Sequence, residues 1–147
     1  MSEERQIQLE VLRYNPETDS QPRFQTYTVP CVNEWVVLDA LNYVKENLDP
    51  TLSYRWSCHM AVCGSCGYMI NGEPKLGCKA FIHEYGDHIR VEPLANFPIE
   101  RDLVTVVEDF IAKLASVKPY LIPKEDKPIS AGEFKQTPAE LKKYKQY

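Results

Sequence analysis

The sequence predicts an α+β fold in which a mixed β-sheet packs against one helix. Residues 6–14 and 23–29 have the alternating or β-branched patterns of strands, whereas residues 34–48 repeat apolar side chains at helical spacing. An Asn-Gly pair at residues 71–72 indicates a tight hairpin farther along the chain. The length of 147 residues is enough for one hydrophobic core.

The first two strands are expected to form a hairpin with a long loop. Ile7, Leu9 and Val11 alternate with polar side chains, as in a strand with one buried face. Residues 15–20 have turn-forming composition. Residues 23–29 are rich in aromatic and β-branched side chains, which favour a second strand.

A helix over residues 34–48 is expected to follow this hairpin. Asn33 is a suitable N-cap, and Pro50 prevents the helix from continuing. The apolar stripe of this helix comprises Val37, Leu38, Leu41, Val44 and Leu48. The sheet would cover this stripe.

A second hairpin is predicted around the turn at residues 71–72. A two-residue turn there sets a register in which Cys66 lies opposite Gly77. Pro74 removes one donor from the ladder of hydrogen bonds. The hairpin brings Cys78 back beside Cys66, although the two cysteines are distant in the sequence.

The rest of the chain predicts one more strand, one more helix and a tail. Residues 88–92 alternate again, as in a strand. Residues 99–118 have a helical pattern. The apolar stripe of this second helix comprises Leu103, Val106, Val107, Phe110, Ile111, Leu114 and Val117. Residues 121–147 have too few apolar residues for a core and predict an extended tail. We therefore expect a domain of residues 1–97 and a helical extension with linker tail at residues 98–147.

Four cysteines form the most informative pattern in the chain. Their C-x4-C-x2-C…C spacing is that of the ligands of a plant-type [2Fe–2S] cluster. The candidate ligands are Cys58, Cys63, Cys66 and Cys78. Gly64, Ser65 and Gly67 between them are small, so backbone N–H groups can approach the cluster and stabilise its negative charge. With the predicted order of elements, this pattern indicates the β-grasp fold of plant-type [2Fe–2S] ferredoxins and an electron carrier.

Two other uses of the cysteines remain open from the sequence. Four cysteines also bind zinc, although structural zinc sites usually draw on two short cysteine pairs and this chain has one. The segment from Cys63 to Cys66 has the spacing of a dithiol redox pair, but such a pair needs neither Cys58 nor Cys78. Cys31 stands apart and is expected to be a partly buried bystander.

Charge and hydropathy exclude other classes of function. The net charge of −4 argues against nucleic acid as a partner, because phosphate binding needs a basic face. Residues 1–6 are polar and acidic and lack the apolar run of a signal peptide. No stretch approaches the roughly 18 apolar residues of a membrane span. We therefore expect an intracellular chain with no direct membrane insertion.

The sequence around the cysteine loop resembles the iron–sulfur subunits of fumarate reductase and succinate dehydrogenase. The resemblance is carried by residues 53–67, which run from Ser-Tyr-Arg-Trp through the three cysteines, and by residues 13–16 and 98–104. Residues 136–140, Gln-Thr-Pro-Ala-Glu, resemble the fumarate reductase branch more than the succinate dehydrogenase branch. The resemblance implies a β-grasp fold and four cysteine ligands for a [2Fe–2S] cluster.

The same resemblance implies a larger assembly. In that family a second domain carries a [4Fe–4S] and a [3Fe–4S] cluster, for which this chain has no cysteines after Cys78. The implied partners are a flavoprotein subunit carrying FAD and membrane anchor subunits reached through the second domain. The implied location is the cytoplasmic side of the cell membrane. The chain ends at Tyr147, near where the resemblance places the second domain, so the full electron relay is not expected from this polypeptide alone.

The function predicted from the sequence is electron transfer in fumarate reductase. The [2Fe–2S] cluster would relay electrons between quinol and the flavin site that reduces fumarate to succinate, and no dicarboxylate or flavin site is expected on this chain. The alternatives are a succinate dehydrogenase iron–sulfur subunit, a free-standing [2Fe–2S] ferredoxin and a zinc-stabilised binding module. The predicted helix and tail after residue 98 argue against a free ferredoxin.

Overall fold

Two long antiparallel strands begin the fold. The structure, a computed structural model, describes residues 5–123 and 125–145. Strands β1 (Arg5–Arg13) and β2 (Arg23–Cys31) pair along their whole length. Ile7, Leu9 and Val11 are fully buried, which confirms the predicted alternation along β1.

The helix that follows is shorter than predicted and changes type in its last turn. Helix α1 (Val37–Tyr43) continues as a π-helical turn at Val44–Leu48, where the N–H of Asp49 donates to the carbonyl of Val44 at 2.7 Å. The N-cap is Val36, three residues later than the predicted Asn33, because Val36 forms an isolated β-bridge with Phe81. An extended residue in such a bridge cannot also belong to a helix.

The sheet has five strands in the order β2-β1-β5-β3-β4. Strand β3 (Gly67–Ile70) pairs antiparallel with β4 (Glu73–Leu76) and with β5 (His88–Pro93), whereas β5 runs parallel to β1. The sheet and the buried face of α1 form one hydrophobic cluster. This mixed sheet gripping one helix confirms the predicted β-grasp arrangement.

The predicted register of the second hairpin is confirmed. Asn71 and Gly72 both have positive φ, +49° and +83°, as a tight two-residue turn requires. The N–H of Gly77 donates to the carbonyl of Cys66 at 2.8 Å. Donors that face β3 alternate along β4, so the missing N–H of Pro74 falls on the open edge of the sheet and costs no ladder bond.

The prediction of a helix over residues 99–118 is wrong for the first part of that range. Strands β6 (Ile99–Arg101) and β7 (Val104–Thr105) form a separate two-stranded hairpin, and helix α2 covers only Glu108–Ser116. Asp102 lies in the turn between the strands with φ of +48°, a value that a right-handed helix does not allow. The β-branched residues after Leu103 also favour an extended chain over a helix.

The predicted apolar stripe of this helix is divided between two environments. Leu103 is buried, with 3% of its surface exposed, and belongs to the main core. In contrast, Phe110, Ile111, Leu114 and Val117 are all about half exposed or more. Helix α2 therefore buries no residue of its own.

The chain divides into two units, a first one ending at Ile111 and a second one beginning at Ala112. The β6–β7 hairpin belongs to the first unit, and the domain boundary between residues 97 and 98 stays a prediction. In the second unit, none of the described residues is buried, and helix α3 (Pro138–Tyr144) is its longest complete helix. Thr137 and Glu140 form a capping box at the start of α3, a signal that the sequence analysis missed when it assigned an extended tail.

A buried ionic network joins the end of β1 to two distant segments. The Arg13 guanidinium donates to Asp102 at 3.0 Å, to the Tyr27 hydroxyl at 2.6 Å and to the Thr51 hydroxyl at 2.9 Å, and it also contacts Asp49. Arg13 is 7% exposed and Asp102 only 2%. Charges so deeply buried stabilise a fold only while they remain paired.

The Asp49 carboxyl is expected to make the fold weaker in acid. Burial opposes its ionisation, but hydrogen bonds from Thr51, Tyr27 and Arg13 outweigh burial and hold the pKa of Asp49 far below its usual value. Such a carboxyl stabilises the folded state above the unfolded-state pKa of about 3.9, and the contribution disappears as the pH falls through the folded-state value. In urea titrations, the stability difference between the wild type and Asp49→Asn should therefore shrink as the pH falls below about 4. A constant difference from pH 7 to pH 3 would contradict this assignment.

Candidate metal centre

Of the four cysteines predicted as ligands, three lie in one loop beside the sheet and the fourth follows the hairpin of β3 and β4. Cys58 and Cys63 lie in the loop of residues 58–66, Cys66 directly precedes β3, and Cys78 follows β4. Cys66 and Cys78 are buried, with 2% and 9% of their surfaces exposed. In contrast, Cys58 is partly exposed and Cys63 is exposed.

The hairpin of β3 and β4 explains how the fourth cysteine joins the others. The bond from the Gly77 N–H to the Cys66 carbonyl places Cys78 beside Cys66. Cys63 lies against Cys58, because its N–H donates to Sγ of Cys58. The loop and the hairpin thus present one outer pair and one buried pair of thiols.

Backbone N–H groups converge on the sulfur atoms of three of these cysteines. The N–H groups of Met60 and Cys63 each donate to Sγ of Cys58 at 3.4 Å. The remaining two such bonds, at 3.4 Å and 3.3 Å, run from Ser65 to Sγ of Cys63 and from Ala61 to Sγ of Cys78. Hydrogen bonds from the backbone N–H groups of Cys63 and Met60 lower the pKa of Cys58 to about 6, whereas burial raises the pKa of the Cys66 thiol.

The inward N–H groups depend on left-handed backbone at three positions of the loop. His59, Ala61 and Gly64 have φ of +54°, +58° and +75°. Glycine adopts such values without steric cost, but histidine and alanine do so only when their surroundings hold them there. The sequence analysis identified Gly64 from its residue type and missed His59 and Ala61, because neither residue type signals positive φ.

Gly67 packs closely against the loop backbone and Leu94. Its N–H donates to the carbonyl of Gly64 at 3.2 Å and is therefore directed at the loop backbone. A Cβ at residue 67 would lie 2.7 Å from Cδ1 of Leu94, so glycine is needed for close packing. Of the three small residues predicted to line the cluster, Ser65 donates directly to a cysteine sulfur.

Tyr68 and Gly77 support the buried pair of cysteines, and the sequence analysis missed the packing between them. Tyr68 is 1% exposed, and its hydroxyl donates to the carbonyl of Arg55 at 2.5 Å. A Cβ at residue 77 would lie 2.9 Å and 3.1 Å from Cε2 and Cδ2 of the Tyr68 ring. The absent side chain of Gly77 therefore lets the hairpin close over Tyr68.

Gly77→Ala is expected to destabilise the first unit by about 1–3 kcal/mol, the usual cost of overpacking a core. The ring of Tyr68 is enclosed, so the added methyl group can be accommodated only by moving the backbone next to Cys78. Urea unfolding at constant m-value would measure this loss. Gly86→Ala is the matched control, because nothing lies within 4 Å of a Cβ there. Equal effects of the two substitutions would contradict the packing argument.

The fifth cysteine and two of the histidines lie outside this centre. Cys31 ends β2 opposite Arg5 and is buried in the core, where burial raises the pKa of its thiol. The His83 ring contacts the carbonyl of Asn33, and His88 lies 3.8 Å from a carboxylate oxygen of Glu10 on β1. None of these three residues is therefore placed among the four loop cysteines.

The residues of the loop fit a two-iron cluster. Each iron of a [2Fe–2S] cluster takes two thiolates, and the cysteines lie in two pairs. In the described part of the chain, no three cysteine, histidine, aspartate or glutamate side chains are grouped closely enough to bind a single metal ion. N–H donors at the sulfurs also suit the negative charge of such a cluster.

The fold and the paired cysteines together define a ferredoxin-like [2Fe–2S] protein. The same conclusion follows from comparison with known sequences. The chain belongs to the family described as the 2Fe-2S iron-sulfur cluster binding domain, whose pattern matches residues 8–112.

Named relatives match almost the whole length of the chain. The fumarate reductase iron-sulfur subunits of Haemophilus influenzae and Mycobacterium tuberculosis are 52% and 54% identical to it, each over 96% of this chain. The succinate dehydrogenase iron-sulfur subunit of Paracoccus denitrificans is 37% identical over 90% of this chain. The chain spans 59% and 58% of the length of the two fumarate reductase subunits.

A solved structure supports the same family. A chain of the Mycobacterium smegmatis Sdh1 complex in the apo form matches 99% of this chain with a TM-score of 0.77 and 30% sequence identity. The match covers 59% of that chain. Within residues 5–123 and 125–145, no helix has the length and apolar character needed to cross a membrane.

Proposed function

We propose that this chain is the [2Fe–2S] electron-transfer part of a fumarate reductase iron–sulfur subunit. The observation that carries the proposal is the convergence of four backbone N–H groups on the sulfurs of Cys58, Cys63 and Cys78. With Cys66, these residues would hold the cluster. When bound, a [2Fe–2S] cluster accepts and releases one electron. The backbone donors would stabilise the charge that the added electron brings.

The relatives support the choice of the fumarate reductase branch. Identity to the named fumarate reductase subunits is 51–54%, against 37–40% for the named succinate dehydrogenase subunits, which favours the fumarate reductase branch. Electrons would pass from quinol in membrane anchor subunits to an FAD-carrying flavoprotein subunit that reduces fumarate to succinate. The complex would lie on the cytoplasmic side of the cell membrane, with the anchor contacted through a second domain bearing the [4Fe–4S] and [3Fe–4S] clusters.

The exposed part of the cysteine loop is proposed to face the flavoprotein subunit. Met60 is 70% exposed and Val62 is 78% exposed, and both lie between cysteines. Electron transfer needs a short distance between redox groups, and apolar side chains can be desolvated at an interface with little cost. These two residues would therefore bury apolar surface close to the cluster.

The first test of the function is optical. Chain purified without oxygen is expected to be red-brown, to contain two irons per chain, and to bleach when dithionite reduces it. A colourless preparation without iron would overturn the proposal, and bound zinc would point to a binding module without redox function.

The second test concerns the partner. Co-expression with a fumarate reductase flavoprotein subunit should give a complex that reduces fumarate with an artificial electron donor. Met60→Ser with Val62→Ser should keep the visible spectrum and weaken this association. Phe24→Ser with Leu48→Ser, a matched pair of exposed apolar residues away from the loop, should leave association unchanged. Association that is insensitive to the loop pair would contradict the proposed docking face.

A further inference from the structure

The segment that leads into the cysteine loop has no regular secondary structure. Residues 52–57, here called the approach segment, connect the turn after helix α1 to Cys58. Its backbone groups belong to no strand or helix, so contacts with other elements must fix its path. The position of Cys58 follows directly from that path.

Asp102 makes the strongest of these contacts. Its Oδ2 accepts the N–H of Ser53 in the approach segment at 2.8 Å. Its Oδ1 accepts the N–H of Tyr14 at 2.9 Å and Nε of Arg13 at 3.0 Å. A carboxylate that is 2% exposed and accepts three hydrogen bonds is tightly held, because loss of any one donor leaves part of a buried charge unsatisfied.

The rest of the β6–β7 hairpin adds two more contacts to the same segment. The N–H of Leu103 donates to the carbonyl of Ser53 at 3.2 Å, so Ser53 is held at both its N–H and its carbonyl. The Arg55 guanidinium donates to the carbonyl of Thr105 at 3.1 Å. The hairpin thus holds the approach segment at two positions.

The hairpin also faces the cysteine loop across a small cavity. This cavity, of about 280 Å³, has Cys63 and Gly64 on its loop side. Arg55, Leu103 and Thr105 line it as well. The hairpin therefore lies next to the ligand loop as well as next to the segment that leads into it.

We propose that Asp102 is a positioning residue of the cluster centre. Its carboxylate fixes Ser53, and through the approach segment it keeps Cys58 and the N–H groups of the following loop in place. The inference rests on the proposed function, because it takes the loop cysteines to be the ligands. The β6–β7 hairpin follows the β-grasp sheet in the sequence, and this proposal assigns it a role in positioning the cysteine ligands.

Asp102→Asn tests this role selectively. An amide has one acceptor oxygen and one donor nitrogen in place of two acceptors. The oxygen should remain where Arg13 and Tyr14 donate, because the reverse orientation would bring an NH2 group against two donors, one of them charged. The NH2 group then faces the N–H of Ser53, so the substitution breaks the contact to the approach segment in particular.

Asp49→Asn is the matched control. It removes one negative charge from the same guanidinium, since Asp49 also pairs with Arg13. Its other contacts go to Tyr27 and Thr51, outside the approach segment. Both variants therefore disturb the ionic network, but only Asp102→Asn disturbs Ser53.

The decisive measurement is the rate at which a ferrous chelator strips iron from the intact chain under native conditions, with dithionite supplying the electrons that convert ferric to ferrous iron. We expect release from Asp102→Asn to be at least about tenfold faster than from Asp49→Asn after correction for the global stability of each, as the loss of one buried charge-assisted hydrogen bond predicts. The reduction potential should shift in Asp102→Asn and stay at the wild-type value in Asp49→Asn. Equal release rates and equal potentials would overturn the proposal. If Asp102→Asn does not fold, Ser53→Pro takes its place, because proline removes the N–H of residue 53 and leaves the bonds from Arg13 and Tyr14 to Asp102.

Hydrogen exchange separates this proposal from the proposed function. In cluster-free chain, the amide of Ser53 should be protected in the wild type and in Asp49→Asn, and should exchange at least about tenfold faster in Asp102→Asn. If the wild type holds no iron, the proposed function fails while this result still decides whether Asp102 fixes the segment. Unchanged protection at Ser53 in Asp102→Asn would overturn the inference even if the chain holds its cluster.

Discussion

Cys63→Ala is expected to abolish the visible colour and the bound iron of the chain. Removal of one of four thiolates leaves an iron with an open coordination position. Alanine is the better substitution, because a serine oxygen can act as a ligand in place of sulfur. Cys63 is exposed, so the change should leave the far-ultraviolet circular dichroism spectrum and the fold intact. Iron analysis and absorption spectra of anaerobically purified protein would measure the effect.

Cys31→Ala provides the control for this experiment. Cys31 is as buried as a core residue, with 3% of its surface exposed, and lies opposite Arg5 in the sheet. The substitution should cost about 1 kcal/mol of stability through the small cavity that it leaves. It should not change the iron content. A colourless Cys31→Ala protein, or a Cys63→Ala protein with full iron, would refute the ligand assignment.

Local sequence signals were sufficient for the elements that bring the cysteines together. The Asn-Gly pair at residues 71–72 determined the turn type and therefore the register that places Cys66 opposite Gly77. The alternation of apolar and polar residues in β1 identified its buried face, because every second side chain of a strand points to the same face of the sheet. Such signals depend on neighbours within a few residues, so a single sequence contains them.

The β6–β7 hairpin could not be predicted in the same way. Its apolar residues have helical spacing, but Asp102 pairs with Arg13, 89 positions away in the sequence. The buried charge at Asp102 fixes a turn that local periodicity does not reveal. A long-range contact of this kind overrides local propensity, which is only a weak preference.

The cysteine loop shows a similar limit. The spacing of the cysteines and the glycine at residue 64 indicated a backbone that wraps around a metal group. They did not indicate that His59 and Ala61 have positive φ, because these residues are forced there by the surrounding contacts. One such contact is visible in the structure: the His59 ring lies 3.1 Å from a carboxylate oxygen of Asp39 on α1.

The largest loss of stability is expected from Arg13→Met. The substitution keeps much of the side-chain volume but leaves the buried Asp102 and the partly buried Asp49 without their shared cation. Removing one partner of a buried ion pair typically costs about 3–5 kcal/mol. Since the total stability of a domain is usually about 5–15 kcal/mol, the variant should be close to unfolding at physiological temperature. Urea unfolding would measure the loss.

Arg23→Met is the matched control for Arg13→Met, because Arg23 lies opposite Arg13 at the start of β2 in an exposed position. It should change stability by less than about 0.5 kcal/mol, as is usual for surface substitutions. A double-mutant cycle with Asp49→Asn gives a further check. Once Arg13 is gone, neutralising Asp49 removes an unpaired, partly buried charge, so Asp49→Asn should cost less in the Arg13→Met background than in the wild type. Additive effects would contradict direct pairing between Arg13 and Asp49 and would assign the loss to packing alone.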